Sequence, residues 1–142
     1  MFLTLLASHN EQLYKAEVAG VADVADLVRD NRLQCLSSTD GTIDYWFSRP
    51  DPHVHVNLGA TQLLLATTRF TAREVPLLRG PIVIAGHDRA GNLAGLSDEQ
   101  FTRLINAEPS WRENFVLARR FNRDVRATRR ARAAQRGRDL QL

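Results

Sequence analysis

Four residues, Ile82-Val83-Ile84-Ala85, most constrain what this chain can fold into. They are apolar, mostly β-branched and too few for a helix, and Gly80-Pro81 and Gly86 close the run at both ends. Such a segment is expected as a strand buried in a core, and a buried strand needs partners. Residues 2–7 and 12–19 offer one pair, the second alternating Leu13, Lys15 and Glu17 with Tyr14, Ala16 and Val18. Residues 32–38 and 42–48 offer another. Between these last two stands Thr39-Asp40-Gly41, and Asp-Gly between apolar runs predicts a hairpin because glycine, and to a lesser extent aspartate, tolerates positive φ.

Helical spacing marks the segments between the strands. From Val21 to Asn31, the residues Val21, Val24, Ala25, Leu27 and Val28 fall on one side, with Asp23, Asp26, Arg29 and Asp30 on the other. Arg49-Pro50-Asp51-Pro52 then forces a turn, since proline donates nothing to a sheet ladder. Asn57 is suited to cap a helix over residues 58–70, with Ala60, Leu63, Leu64 and Thr67 on its inner face. Ser97-Asp98-Glu99-Gln100 has the spacing of a capping box and predicts a helix to about residue 107. Pro109 is well placed near the first turn of a last helix, on which Trp111, Phe115, Ala118, Phe121 and Val125 form a stripe expected to pack on the body. The short connections favour antiparallel pairing. The expected fold is α+β: a small, mostly antiparallel sheet, three or four helices and a long basic C-terminal helix. Its body covers residues 1–125, and an arginine-rich extension covers residues 126–142.

A length of 142 residues fits one domain with a core that needs no disulfide or structural metal. Cys35 is the sole cysteine, which excludes an intrachain disulfide and a four-cysteine zinc site, as expected of a reducing, cytoplasmic setting. The apolar start lacks the basic flank of a signal peptide, and no apolar run approaches the roughly 20 residues that cross a bilayer. A soluble protein without membrane contact is expected. Charge is unevenly placed: residues 1–111 carry 9 basic and 13 acidic side chains, whereas residues 112–142 carry 10 arginines against Glu113, Asp124 and Asp139. An acidic body with a basic tail points to a polyanionic partner or an interaction arm.

Most motifs that could carry chemistry fall short of it. Gly86-His87-Asp88-Arg89-Ala90-Gly91 has the two-glycine spacing of a phosphate loop, but Asn92-Leu93 stands where that loop needs Lys-Ser/Thr, so a plain turn is expected. His53-Val54-His55 on a strand would place two imidazoles on one face, a spacing that zinc or iron can use, with a third ligand from His9, His87 or Asp51. Two ligands make no site, so neither metal nor cofactor is assigned. Cys35, with no base at hand, reads as a small buried hydrophobe, and Asp40, Asp44 and Asp51 are too spread for an acid/base pair. Tyr45, Trp46 and Phe47 read mainly as sheet aromatics, though one exposed ring could stack on a base. The strongest functional signal lies in the tail. Arg112, Arg119, Arg123, Arg126 and Arg130, at spacings of seven, four, three and four, form a basic stripe on a continuous helix, able to follow a phosphate backbone.

In the middle of the chain, Val56-Asn57-Leu58-Gly59-Ala60-Thr61-Gln62-Leu63-Leu64 is followed by Leu78-Arg79-Gly80-Pro81-Ile82-Val83-Ile84-Ala85-Gly86, then by Gly91 and Leu96-Ser97-Asp98-Glu99. This is the order of an Asn-x-x-Ala-Thr helix, a Gly-Pro-Val-Val-Ile type of strand, a glycine turn and a Leu-Ser/Thr-Asp-Glu helix start. Over about residues 21–106 the chain resembles a family of uncharacterised small proteins found on bacterial phages and plasmids. The resemblance implies a mobile-element setting and supplies no catalytic residue; the arginine-rich extension lies outside the family's pattern. The resulting expectation is a non-catalytic accessory or regulatory binding protein that contacts nucleic acid through its basic helix. Two alternatives belong to other classes. One is a protein–protein adaptor or homo-oligomer built through Trp111, Phe115 and Phe121; the other is a metal-dependent hydrolase or nuclease using His53 and His55.

Overall fold

The computed structural model describes every residue except His9, Glu11, Gln141 and Leu142. Its elements run β1 (Phe2–Ala7), β2 (Leu13–Val18), α1 (Val21–Val28), β3 (Gln34–Ser37), β4 (Asp44–Phe47), α2 (Leu58–Thr67), β5 (Ile82–His87), β6 (Leu93–Ala94), α3 (Asp98–Asn106) and α4 (Trp111–Leu140). The fold is α+β, as expected. The strands pair antiparallel in the order β2-β1-β5-β4-β3, with β6 joined to the end of β5. The apolar run at residues 82–85 is the central strand, each of its four residues 0% exposed.

Because side chains alternate along a strand, β1, β4 and β5 each feed two clusters. Leu5, Ala7, Tyr45, Phe47, Ile82 and Ile84 project to one face, where Leu64 of α2, Phe101 and Leu104 of α3 and Leu117 of α4 cover them. Leu6, Trp46 and Val83 project to the other, against Val24, Leu27 and Val28 of α1. The sheet is thus a middle layer with one helix on one side and three on the other. Each fully buried side chain of this kind contributes about 1.5–3 kcal/mol relative to exposure, so the three-helix side supplies most of the apolar stabilisation.

Local signals set the helix ends. Asn57 accepts the Ala60 amide through Oδ1 at 3.1 Å and starts α2. Its Nδ2 donates to the carbonyls of Ala7, Ser8 and Gly80 at 3.0, 3.2 and 2.9 Å, fastening the helix start to β1 and to the turn before β5. The capping box of α3 forms as expected, Ser97 Oγ accepting from the Gln100 amide at 3.2 Å and Gln100 Oε1 from the Ser97 amide at 2.8 Å. α4 begins on a second such pair, Ser110 with Glu113 at 3.2 and 3.1 Å, and Pro109 directly precedes that cap. α1 stops at Val28, three residues short of expectation, because Arg29 turns left-handed with φ 66°. In the β3–β4 turn Gly41 has φ 74°, the conformation that calls for glycine, and the Asp40 carboxylate accepts from Ser38 Oγ at 2.6 Å and Thr42 Oγ1 at 2.8 Å.

Candidate functional site

α4 has 30 residues and is therefore about 45 Å long. Leu117 and Thr128 are its buried residues. Between them Asp124 forms a two-pronged ion pair with Arg79, their side chains only 17% and 14% exposed. Arg79 also donates to the Val54 carbonyl at 3.0 Å, Arg120 to the Ala72 carbonyl at 2.8 Å and Thr128 to the Pro52 carbonyl at 3.4 Å. The helix is docked as much by these polar contacts as by Leu117. That corrects the expected packing stripe: Trp111 and Phe115 are 76% and 61% exposed, Ala118 is exposed, and only Phe121 and Val125 are half-buried.

The five arginines of the stripe take the side turned away from the body. At 100° per residue Arg112, Arg119, Arg123, Arg126 and Arg130 gather on one face, opposed to the line through Leu117, Asp124 and Thr128. All five are exposed, and among the described residues none of them pairs with a carboxylate. The acids of the helix are occupied elsewhere: Glu113 at the N-cap, Asp124 on Arg79, and Asp139 accepting from Gln135 at 3.1 Å. Arg119 and Arg123, Arg123 and Arg126, and Arg126 and Arg130 are like-charged neighbours on the helix surface, each pair disfavouring the helix by about 0.2–0.5 kcal/mol.

Beside the stripe, α4 and the segment before β5 enclose a shallow groove of about 650 Å³. Leu77, Val116 and Phe115 give it an apolar floor, and Arg73, Arg119 and Arg123 stand on its rim. Arg120 also lines it; burial and then the neighbouring Arg123 charge hold its guanidinium below the ordinary value. Arg73 and Arg120 were invisible as site residues in the sequence. Arg73 comes from a loop far from the helix in sequence, and Arg120 lies off the stripe.

The other candidates are placed differently from expectation. Residues 51–54 form a turn in which the Val54 amide bonds the Asp51 carbonyl at 3.0 Å and the His53 amide bonds Asp51 Oδ1 at 2.9 Å. His53 is therefore not on a strand, and the shared face that would align it with His55 is not formed. Both histidines are exposed along a cleft of about 660 Å³ that also includes Arg29, Arg49 and Arg132. Among the described residues no three His, Cys, Asp or Glu side chains converge as a metal-holding group, and His9 lies outside those residues. His87 instead donates from Nδ1 to Asp44 Oδ2 at 2.8 Å, while Asp44 Oδ1 accepts from Ser37 Oγ at 2.6 Å. No sequence spacing signalled this cluster, because it forms across three strands. Cys35 is exposed on the edge strand β3, not buried; desolvation of the sulfur and the nearby Asp44 carboxylate push it up to about 11, so it is a thiol at neutral pH. Of residues 86–91, Gly86 and His87 end β5, and residues 88–92 form a plain turn to β6, closed by the Asp88 amide on the Asn92 carbonyl at 2.9 Å. No helix among the described residues is long and apolar enough to cross a membrane. No family model, curated protein or solved structure matches the chain.

Proposed function

We propose that the protein is a non-catalytic accessory or regulatory protein that binds nucleic acid by laying the arginine face of α4 along a phosphate backbone. One observation carries the reading: five exposed guanidiniums share a face, and the helix's own carboxylates are engaged away from it. Neighbouring guanidiniums that repel one another are relieved by an anionic chain, and each phosphate neutralised releases condensed counterions. The body's role is to hold the helix through Arg79, Leu117 and Thr128. The setting we propose is a mobile element of phage or plasmid type, on the resemblance of residues 21–106.

Filter binding to a duplex at two salt concentrations tests this. An arm engaging five arginines predicts a slope of log affinity on log salt of about −4 to −5. Replacing Arg119, Arg123, Arg126 and Arg130 by glutamine is expected to weaken binding to unrelated sequences alike and to flatten the slope by about 3 to 4, with the folded body unchanged. Absence of affinity for any nucleic acid at low salt would reject the reading and leave a protein–protein adaptor, with Trp111 and Phe115 as its exposed contacts.

A further inference from the structure

We infer that the preferred ligand of this face is a single strand, with unpaired bases stacked on Trp111 and Phe115. The inference rests on the nucleic-acid reading above and goes further, to the form of nucleic acid recognised. Trp111 and Phe115 are the two large aromatics of α4 left open to solvent, at 76% and 61% exposure. They stand four residues apart, hence on the same side of the helix and about 6 Å apart along its axis. Guanidiniums interleave with them: the Arg112 guanidinium lies 5.3 Å from the Trp111 ring centroid, and Phe115 shares the groove with Arg73, Arg119 and Arg123. Aromatic faces beside a positively charged track are what a sequence-tolerant single-strand site needs, since every base has a π-face and every nucleotide a phosphate. A duplex uses only half of this arrangement. Its bases are already stacked on one another at about 3.4 Å per nucleotide, so it has no free base face to offer Trp111 or Phe115, whereas an unstacked strand does.

The groove is shaped before any ligand arrives. Arg120 is anchored on the Ala72 carbonyl and Asp124 on Arg79, which fixes one wall, and the apolar floor of Leu77 and Val116 continues the Phe115 ring. A volume of about 650 Å³ lies within the ordinary range of small-ligand pockets, which suits one base with its sugar and phosphate.

The test compares a 20-nucleotide oligothymidylate with a 20-base-pair duplex, using the full chain, and follows tryptophan fluorescence together with affinity. Of the two tryptophans, Trp46 is packed in the sheet against α1, so Trp111 is the reporter. The expected result is tighter binding of the single strand, with quenching of Trp111. Trp111→Ala and Phe115→Ala are each expected to weaken single-strand binding roughly 5- to 150-fold while duplex affinity and the unfolding midpoint stay unchanged. Trp111→Phe should restore the affinity and remove the quench. Equal affinity for both forms, or single-strand binding indifferent to the two alanine variants, overturns the stacking inference and leaves the phosphate reading intact. No binding to either form at low salt overturns both. A dimer in solution that the alanine variants convert to monomer would assign the rings to a second copy of the chain and likewise overturn stacking.

Discussion

Asn57 shows how much a single side chain can carry. It is 1% exposed and satisfies four backbone groups, one amide and three carbonyls, contributed by three separate parts of the chain. Each buried polar group left without a partner costs about 1–3 kcal/mol, so Asn57→Ala is expected to destabilise the fold by roughly 3 kcal/mol or more. Asn57→Asp should be at least as harmful, because its carboxylate would face carbonyl oxygens; urea unfolding midpoints measure both. The cap was legible in the sequence, since Asn before an apolar helix is a local signal. The three donated bonds were not, because their partners become neighbours only in the folded sheet. Asp40 makes a second residue-scale prediction. Ser38, then Arg103 and Thr42, hold its carboxylate well below the ordinary range. A depressed folded-state value means that the stabilisation is present above the unfolded value, about 3.9, and is lost as pH falls below it. The difference in unfolding midpoint between wild type and Asp40→Asn should therefore be largest at neutral pH and shrink in acid.

Among the elements, α4 separates what periodicity can foretell from what it cannot. A long helix with an aligned set of arginines was readable from spacing alone. The face that docks was not: apolarity favoured Trp111 and Phe115, whereas the body selects Leu117, Asp124 and Thr128, two of them polar and matched to Arg79 and the Pro52 carbonyl. Polar docking of this kind leaves no hydrophobic signature. Its energetics can be separated by a double-mutant cycle. Arg79→Leu and Asp124→Leu each strand a mostly buried charge and should cost about 1–3 kcal/mol, while the double variant should be less destabilised than the sum of the two singles. Strict additivity in thermal unfolding would show that the pair does not hold the helix. Gly137 offers the opposite change, as a β-carbon there meets no atom within 4 Å. Gly137→Ala should raise helix stability near the end by about 0.5–1 kcal/mol, read as slower amide exchange in the last turns.

For the molecule as a whole, the decisive feature is where the last helix stops burying side chains against the body. Past Thr128 the side chains through Leu140 are all exposed, and Arg132 bonding the His53 carbonyl at 3.1 Å is a late contact with the body. The segment is helical because it extends a helix already nucleated and docked upstream, which spares it the cost of starting one. Truncation after Arg130 should accordingly leave the urea midpoint of the body unchanged within about 0.5 kcal/mol. A stretch that folding does not use is free to vary. Arginines can be gained or lost there one at a time without exposing a core atom, and on the proposed nucleic-acid reading each change shifts the grip by one phosphate's share. Upstream of Thr128 the same freedom holds for one side of the helix only. On that reading, binding strength and folding stability can be altered independently within one continuous helix: by face as far as residue 128, and by length beyond it.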